Sequence, residues 1–328
     1  MPWLLLFLAQ TSSLHGTVVS ADSHEPLGLS IVTLTPTASR RFTDARGGFT
    51  FSAVEPGRYV LTVRQIGYVP LDTSIVIREG GETAILVALR HLAIELPPVT
   101  ITTEQCTKPG RPDSTNRTLA AVFNQLEENA KRFELFADSY PFRYGLERTE
   151  RTVNERGDTG RGYVHTLKFS SGDSHPYEIG RVVERGWGPW GPNVLVIRSA
   201  ELQDFSNARF IENHCFRLAG LDTIDGEALV RIDFEPSERI AWSDMAGSAW
   251  LDPTSYRLRL TETSLTHPER SELDNVRTLL ARTRFREIAP GIPLQDSLHA
   301  VTTYRYGKRR RVETQRTIDV RFSRPPPN

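Results

Sequence analysis

Apolar residues recur at every second position in short runs broken by Gly, Pro or Asp, first over residues 15–90 and again over 142–322. That period confines the chain to a mainly β fold, because it gives each run one dry face and one wet face. In the first stretch the runs are 16–19, 30–34, 48–51, 58–63, 74–77 and 83–87. Strands so closely spaced, with turn residues between them, predict a β-sandwich over residues 14–93. Thr43-Asp-Ala-Arg-Gly-Gly48 reads as a turn in which Asp and Gly supply the bend and the positive φ. Glu55-Pro-Gly57 repeats the device one strand later.

One helix interrupts the β pattern. Over residues 117–137, Leu119, Val122, Phe123, Leu126, Ala130 and Phe133 fall at steps of mostly three and four, with Gln125, Glu127, Glu128 and Lys131 between them. The polar side is not basic, so the helix is expected to pack on a core and not on lipid. Strands are predicted at 142–150, 162–169, 177–184, 194–198, 228–234, 248–251, 257–265, 279–288, 300–306 and 311–322, with 214–218 a further one. In Ala228-Leu-Val-Arg-Ile-Asp-Phe234 and Tyr256-Arg-Leu-Arg-Leu-Thr-Glu262 charged and apolar residues alternate. Residues 116–328 are therefore expected to form an open antiparallel sheet or half-barrel, covered on one side by the helix.

The 328 residues suffice for two cores, and 38% apolar with 24% charged residues excludes collagen-like, disordered and multi-span membrane chains. Forty acidic residues balance forty basic ones, so no field announces a nucleic-acid partner. Trp3-Leu-Leu-Leu-Phe-Leu-Ala9, followed by small residues, reads as a signal peptide over 1–13 and is too short to span a bilayer. A periplasmic or extracellular location follows. The only cysteines, Cys106 and Cys215, are expected to form a disulfide in that setting, tying the Pro/Gly-rich linker of residues 94–115 to the C-terminal sheet.

Gly16-Thr-Val-Val, Pro26-Leu-Gly-Leu-Ser-Ile-Val-Thr-Leu34, Thr43-Asp-Ala-Arg-Gly-Gly-Phe49, Val54-Glu-Pro-Gly-Arg-Tyr59 and Ile66-Gly-Tyr68 resemble, in order and spacing, the carboxypeptidase regulatory-like domain. The resemblance implies a transthyretin-like sandwich of about seven strands, usual in secreted and envelope proteins as an accessory module without catalytic residues. Glu25-Pro-Leu-Gly28 departs from the longer approach to the second strand that many members have. The stretch over residues 96–103 is similar to one that follows this domain in TonB-dependent receptors, but the roughly 225 residues beyond it are too few for a plug and a 22-stranded barrel. Phe234-Glu-Pro236 and Gly247-Ser-Ala-Trp-Leu-Asp252, with the strand from Tyr256, resemble the half-barrels of periplasmic lipoprotein carriers.

Candidate chemistry is sparse. His175-Pro-Tyr-Glu178 fits a His-x-x-Glu zinc pair, with His299 as a conceivable third ligand, but the gap is generic and the chain too short for a carboxypeptidase catalytic domain. Ser174 beside His175 is no dyad, since neighbours on an extended chain point apart. No catalytic, cofactor-binding or metal-binding residue is assigned, and no cofactor is expected. Gly186-Trp-Gly-Pro-Trp-Gly-Pro192 places Trp187 and Trp190 on a Gly/Pro loop, where the indoles either stack on a glycan or partner or complete the core. Lys308-Arg-Arg-Arg311 reads as a solvated hairpin tip, with anionic headgroups the alternative contact. The expectation is a non-catalytic binding or accessory protein of the bacterial envelope, with an envelope protein, glycan or lipid as partner. A periplasmic carrier of an acyl chain or lipidated partner is the second reading, and an unrecognised hydrolase the third. A deep apolar cavity between sheet and helix would favour the carrier, a filled core the accessory role, and converging His and carboxylates the enzyme.

Overall fold

The computed structural model describes residues 12–96, 105–113, 115–154, 156–157, 159–160, 162–173, 175–188, 191–271, 275–307 and 309–326, without the side chains of 183–188 and 191–197. The expected signal peptide lies almost wholly outside these residues, and Ser174, Trp190 and Lys308 lie outside them altogether. The fold is mainly β, in two compact units that divide after Ala93.

The first unit holds β1 (Ser12–Ser20), β2 (Ile31–Thr35), β3 (Ser39–Phe42), β4 (Gly48–Val54), β5 (Gly57–Arg64), β6 (Leu71–Ile77) and β7 (Glu82–Leu89). They form two sheets, in the orders β4-β1-β7 and β3-β2-β5-β6, with β1 and β7 parallel. Alternate residues of both sheets, among them Leu14, Val18, Val32, Leu34, Phe51, Leu61, Val63, Ile77 and Val87, meet in one core. The turn before β4 works as its sequence predicts: Asp44 Oδ1 accepts the amides of Arg46 and Gly48, each at 2.8 Å. Gly47 has φ +73°, and a Cβ there would stand 2.3 Å from the Val18 carbonyl oxygen. The sequence did not signal β3, because Ser39, Arg40 and Arg41 are exposed and give no alternation.

The second unit begins with α1 (Arg117–Ser139), capped by Asn116, whose side chain accepts the Leu119 amide at 3.0 Å. The strands that follow are β8 (Phe142–Val153), β9 (Tyr163–Ser170), β10 (Val183–Gly188) and β11 (Gly191–Ile197). After α2 (Ala208–Asn213) come β12 (His214–Ile224), β13 (Glu227–Pro236), β14 (Asp244–Leu251), β15 (Leu258–Thr266), β16 (Val276–Ala289), β17 (Ile292–Tyr304) and β18 (Arg310–Phe322). Nine of these strands make one open antiparallel sheet in the order β12-β13-β14-β15-β16-β17-β18-β8-β9, while β10 and β11 pair as a separate hairpin.

The helix crosses one face of this sheet, its inner face. Near its start Phe123 meets Phe216 of β12 at 4.5 Å between ring centroids; near its end Phe136 packs on Phe142 of β8 and Phe322 of β18. Between them Asn129 donates to the Tyr256 carbonyl at 2.9 Å and accepts the Leu258 amide at 3.0 Å. The predicted apolar stripe is buried from Val122 to Phe133, with Leu119 half-buried, and the side expected to be solvated is largely buried too. Gln125, Glu127 and Glu128 are at most 6% exposed. At Glu127 the cover is the connecting segment: Arg111 pairs with Glu127 and lies 5.4 Å above the Phe123 ring. Burial pushes the Glu127 carboxyl up, but hydrogen bonds from Arg111 and Lys131 outweigh it and hold it below the usual range.

Two predicted strands shift. Residues 177–182 precede the hairpin and are not part of its strands, because Tyr177 is held elsewhere: its hydroxyl donates to Asp244 and its ring packs on Phe210 and His214. Of the segment expected as a Gly/Pro loop over 186–192, residues 186–188 instead belong to β10 and 191–192 to β11, with Gly188 paired to Gly191. The six-residue α2 is too short to show a period in the sequence.

Candidate functional site

Between the inner face of the sheet and the chain over residues 198–203 lies a cavity of about 420 Å³. The two-residue period selects its walls: Tyr144, Leu146 and Arg148 from β8, Leu279, Ala281 and Thr283 from β16, Leu298, Ala300 and Thr302 from β17, and Arg311, Glu313 and Gln315 from β18. Their neighbours on the outer face, such as Arg282, Arg284 and Arg286, pair there with Glu262, Asp225 and Asp296. Phe133 of α1 and Leu167 and Phe169 of β9 add to the apolar wall. Ala281 and Ala300 stand opposite each other across β16 and β17, so the sheet is thinly clad where the cavity opens.

One side of the cavity is ionic. Glu150 and Glu313 are direct cross-strand partners on β8 and β18, a like-charge pairing that is unfavourable alone. Two guanidinium groups resolve it. Arg148 lies 2.8 Å from Glu150 and 2.8 Å from Glu313, while Arg311 lies 2.7 Å from Glu150 and 3.4 Å from Glu313. Gln315 donates to Glu313 at 2.7 Å and accepts from Gln295 at 2.9 Å. All four charged side chains are less than a third exposed.

A second polar group stands at the rim. Tyr144 stacks on Phe169 at 5.6 Å, with Asp173, His175 and Glu201 beside the same cavity. Burial, and then the nearby Glu201 and Asp173 carboxylates, push the Tyr144 hydroxyl up to about 12, so it stays protonated. Behind the rim Arg198 donates to Asp204 at 2.6 Å, both side chains almost wholly buried. Burial pushes Asp204 up to about 7, against the opposing pull of Arg198.

The sequence-predicted candidates separate. Cys106 and Cys215 form the expected disulfide, with Cα atoms 5.5 Å apart, and it ties the connecting segment to β12. His175 faces Glu201 at 3.7 Å, whereas Glu178 pairs with Arg181. His299 is exposed on β17, between the cavity-lining Leu298 and Ala300, and so on the opposite face. Among the described residues no three His, Cys, Asp or Glu side chains gather as metal ligands. Trp187 falls in β10, with its side chain not described, and Trp190 lies outside the described residues. The basic run splits: Arg309 and Arg310 are exposed, but Arg311 turns inward to the ionic group, a correction to the hairpin-tip reading. Arg148, Glu150 and Glu313 carried no warning, since charges two residues apart on a strand look like an ordinary wet face.

Solved structures with detectable likeness include a domain from Vibrio parahaemolyticus named for outer membrane lipoprotein sorting, 11% identical, covering 61% of this chain and 93% of its own, at a TM-score of 0.34. A DUF1329 family protein from Desulfovibrio piger has the same identity and coverages at 0.33. A minor pilin of Streptococcus agalactiae is 18% identical over 28% of this chain at 0.22, and the match spans about half the pilin's length, 48%. No curated protein matches the chain. The sequence model of one family does match, over residues 13–90. Those residues, a sandwich whose turns and core follow from the motifs quoted above, are a carboxypeptidase regulatory-like domain.

Proposed function

We propose that the chain is an exported, non-catalytic binding protein of the bacterial envelope, and that its C-terminal domain carries an acyl chain or a lipidated partner. The observation that carries the reading is the cavity. Its volume of about 420 Å³ lies within the roughly 300–1,000 Å³ of small-molecule sites. Phe133, Leu146, Leu167, Leu279, Leu294 and Leu298 give it an apolar wall, and the polar groups are confined to distinct places, as an amphiphile requires. The disulfide suits an oxidising compartment. The N-terminal domain then acts as an accessory module.

The test is displacement of the uncharged fluorescent probe N-phenyl-1-naphthylamine from the full chain by lipids of twelve-carbon chain length. Binding is expected, and Ala300→Trp, which fills the cavity, should weaken it about tenfold or more while the melting transition persists. Failure of every amphiphile to bind, whatever its headgroup, would overturn the reading, as would unchanged binding in the folded Ala300→Trp variant.

A further inference from the structure

We infer that the polar end of the ligand is uncharged, a hydroxyl- or amide-bearing head such as that of a monoacylglycerol, received by Arg148, Arg311 and Glu313. The inference rests on the acyl-carrier reading and names the ligand class of that same site. Arg148, Arg311 and Glu313 line the cavity wall, where charges would be expected to select an ion, but together with Glu150 they come two and two. Each guanidinium lies within 3.4 Å of both carboxylates, and each carboxylate lies within that distance of both guanidiniums. The group is electrically closed, with no counter-charge left for a ligand.

An ionic head entering this wall would lose its water and meet no net opposite charge, a cost that pairing must offset if a charge is to be buried. An uncharged head adds no charge. Its hydroxyl hydrogens can be accepted by Glu313, and its oxygens can accept from the guanidinium edges, which carry five N–H donors each. Gln315, bonded to Glu313 at 2.7 Å, extends the same neutral, two-way character. At the rim Asp173 and Glu201, the latter 3.7 Å from His175, are partly open to water and repel an anion on its way in.

The experiment compares monolauroylglycerol, laurate and dodecyltrimethylammonium, each below its critical micelle concentration, as displacers of N-phenyl-1-naphthylamine from the full chain. Monolauroylglycerol should bind at least about tenfold more tightly than either ion. Equal or tighter binding of laurate or of the ammonium overturns the inference while leaving the carrier reading intact; no binding by any of the three overturns both. Glu313→Gln gives a second readout, because it leaves the two arginines facing one carboxylate. Laurate should then gain about tenfold with monolauroylglycerol little changed. A uniform loss for all three lipids in the folded variant would instead mark the group as structural and overturn the inference.

Discussion

Asn129 holds the chain entering β15 with both ends of its amide: Nδ2 donates to the Tyr256 carbonyl at 2.9 Å, and Oδ1 accepts the Leu258 amide at 3.0 Å. Asn129 is fully buried, so these bonds replace water that neither partner can reach. In a helix predicted only from its apolar stripe, the residue that fixes the helix to the middle of the sheet is polar.

Asn129→Leu would leave a buried donor and a buried acceptor without partners. A loss of about 3 to 5 kcal/mol in C-terminal domain stability is expected. Urea unfolding followed by near-ultraviolet circular dichroism measures it. A change below about 1 kcal/mol would mean that the backbone finds other partners.

The Cys106–Cys215 bond closes a loop with a sequence separation of 109. In the chain-entropy account such a loop restricts the unfolded ensemble by about 4 to 5 kcal/mol. Replacing both cysteines by alanine, or adding a reductant, should lower the denaturation midpoint accordingly while the N-terminal domain's transition stays in place.

His214 is fully buried, with Nδ1 2.8 Å from the Phe210 carbonyl oxygen and Nε2 3.0 Å from that of Met245. Burial lowers its pKa below the usual 6.5, although Asp244 at 3.9 Å pulls the other way. The folded state therefore binds fewer protons than the unfolded one, so the stability His214 supplies is full above about pH 6.5 and drains as pH falls toward the lowered value. Asp204, raised to about 7, acts in the opposite sense, since its proton is retained on folding and favours the folded state as pH falls from 7. The His214 part is isolated by following its ring resonances by NMR. A midpoint at or above 6.5 in the folded protein would contradict the assignment.

Residues 12–93 should fold alone, because their seven strands close a complete core among themselves. The isolated fragment is expected to melt cooperatively. Gly47→Ala in it should cost about 2 to 4 kcal/mol, from the positive φ and the approach to the Val18 carbonyl. An unfolded spectrum for the parent fragment would refute the expectation.

The turn at Asp44, the stripe from Leu119 to Phe133 and the pairing of Cys106 with Cys215 were all legible in the sequence, because each depends on local residue chemistry or on simple parity. The ionic group was not. Arg148 and Glu150 lie more than 160 positions from Arg311 and Glu313, and whether their side of the strand faces water or the helix is decided by register between β8 and β18. Burial of Glu127 was hidden for a related reason: its cover, Arg111, comes from a segment with no periodicity of its own.

The strand order also sets a sequence in time. As the chain is synthesised, β8 and β9 can pair early as a hairpin, and β12 to β17 can follow as an uninterrupted meander. These are two separate blocks. Only β18 has one edge for each, with Ala300 opposite Glu313 on one side and Glu150 opposite Glu313 on the other. Such distant pairing is slow to find, so both blocks wait with an open edge until the final strand emerges. The same strand brings Arg311 and Glu313 to Arg148 and Glu150, so the ionic side of the cavity is assembled in the step that joins the sheet.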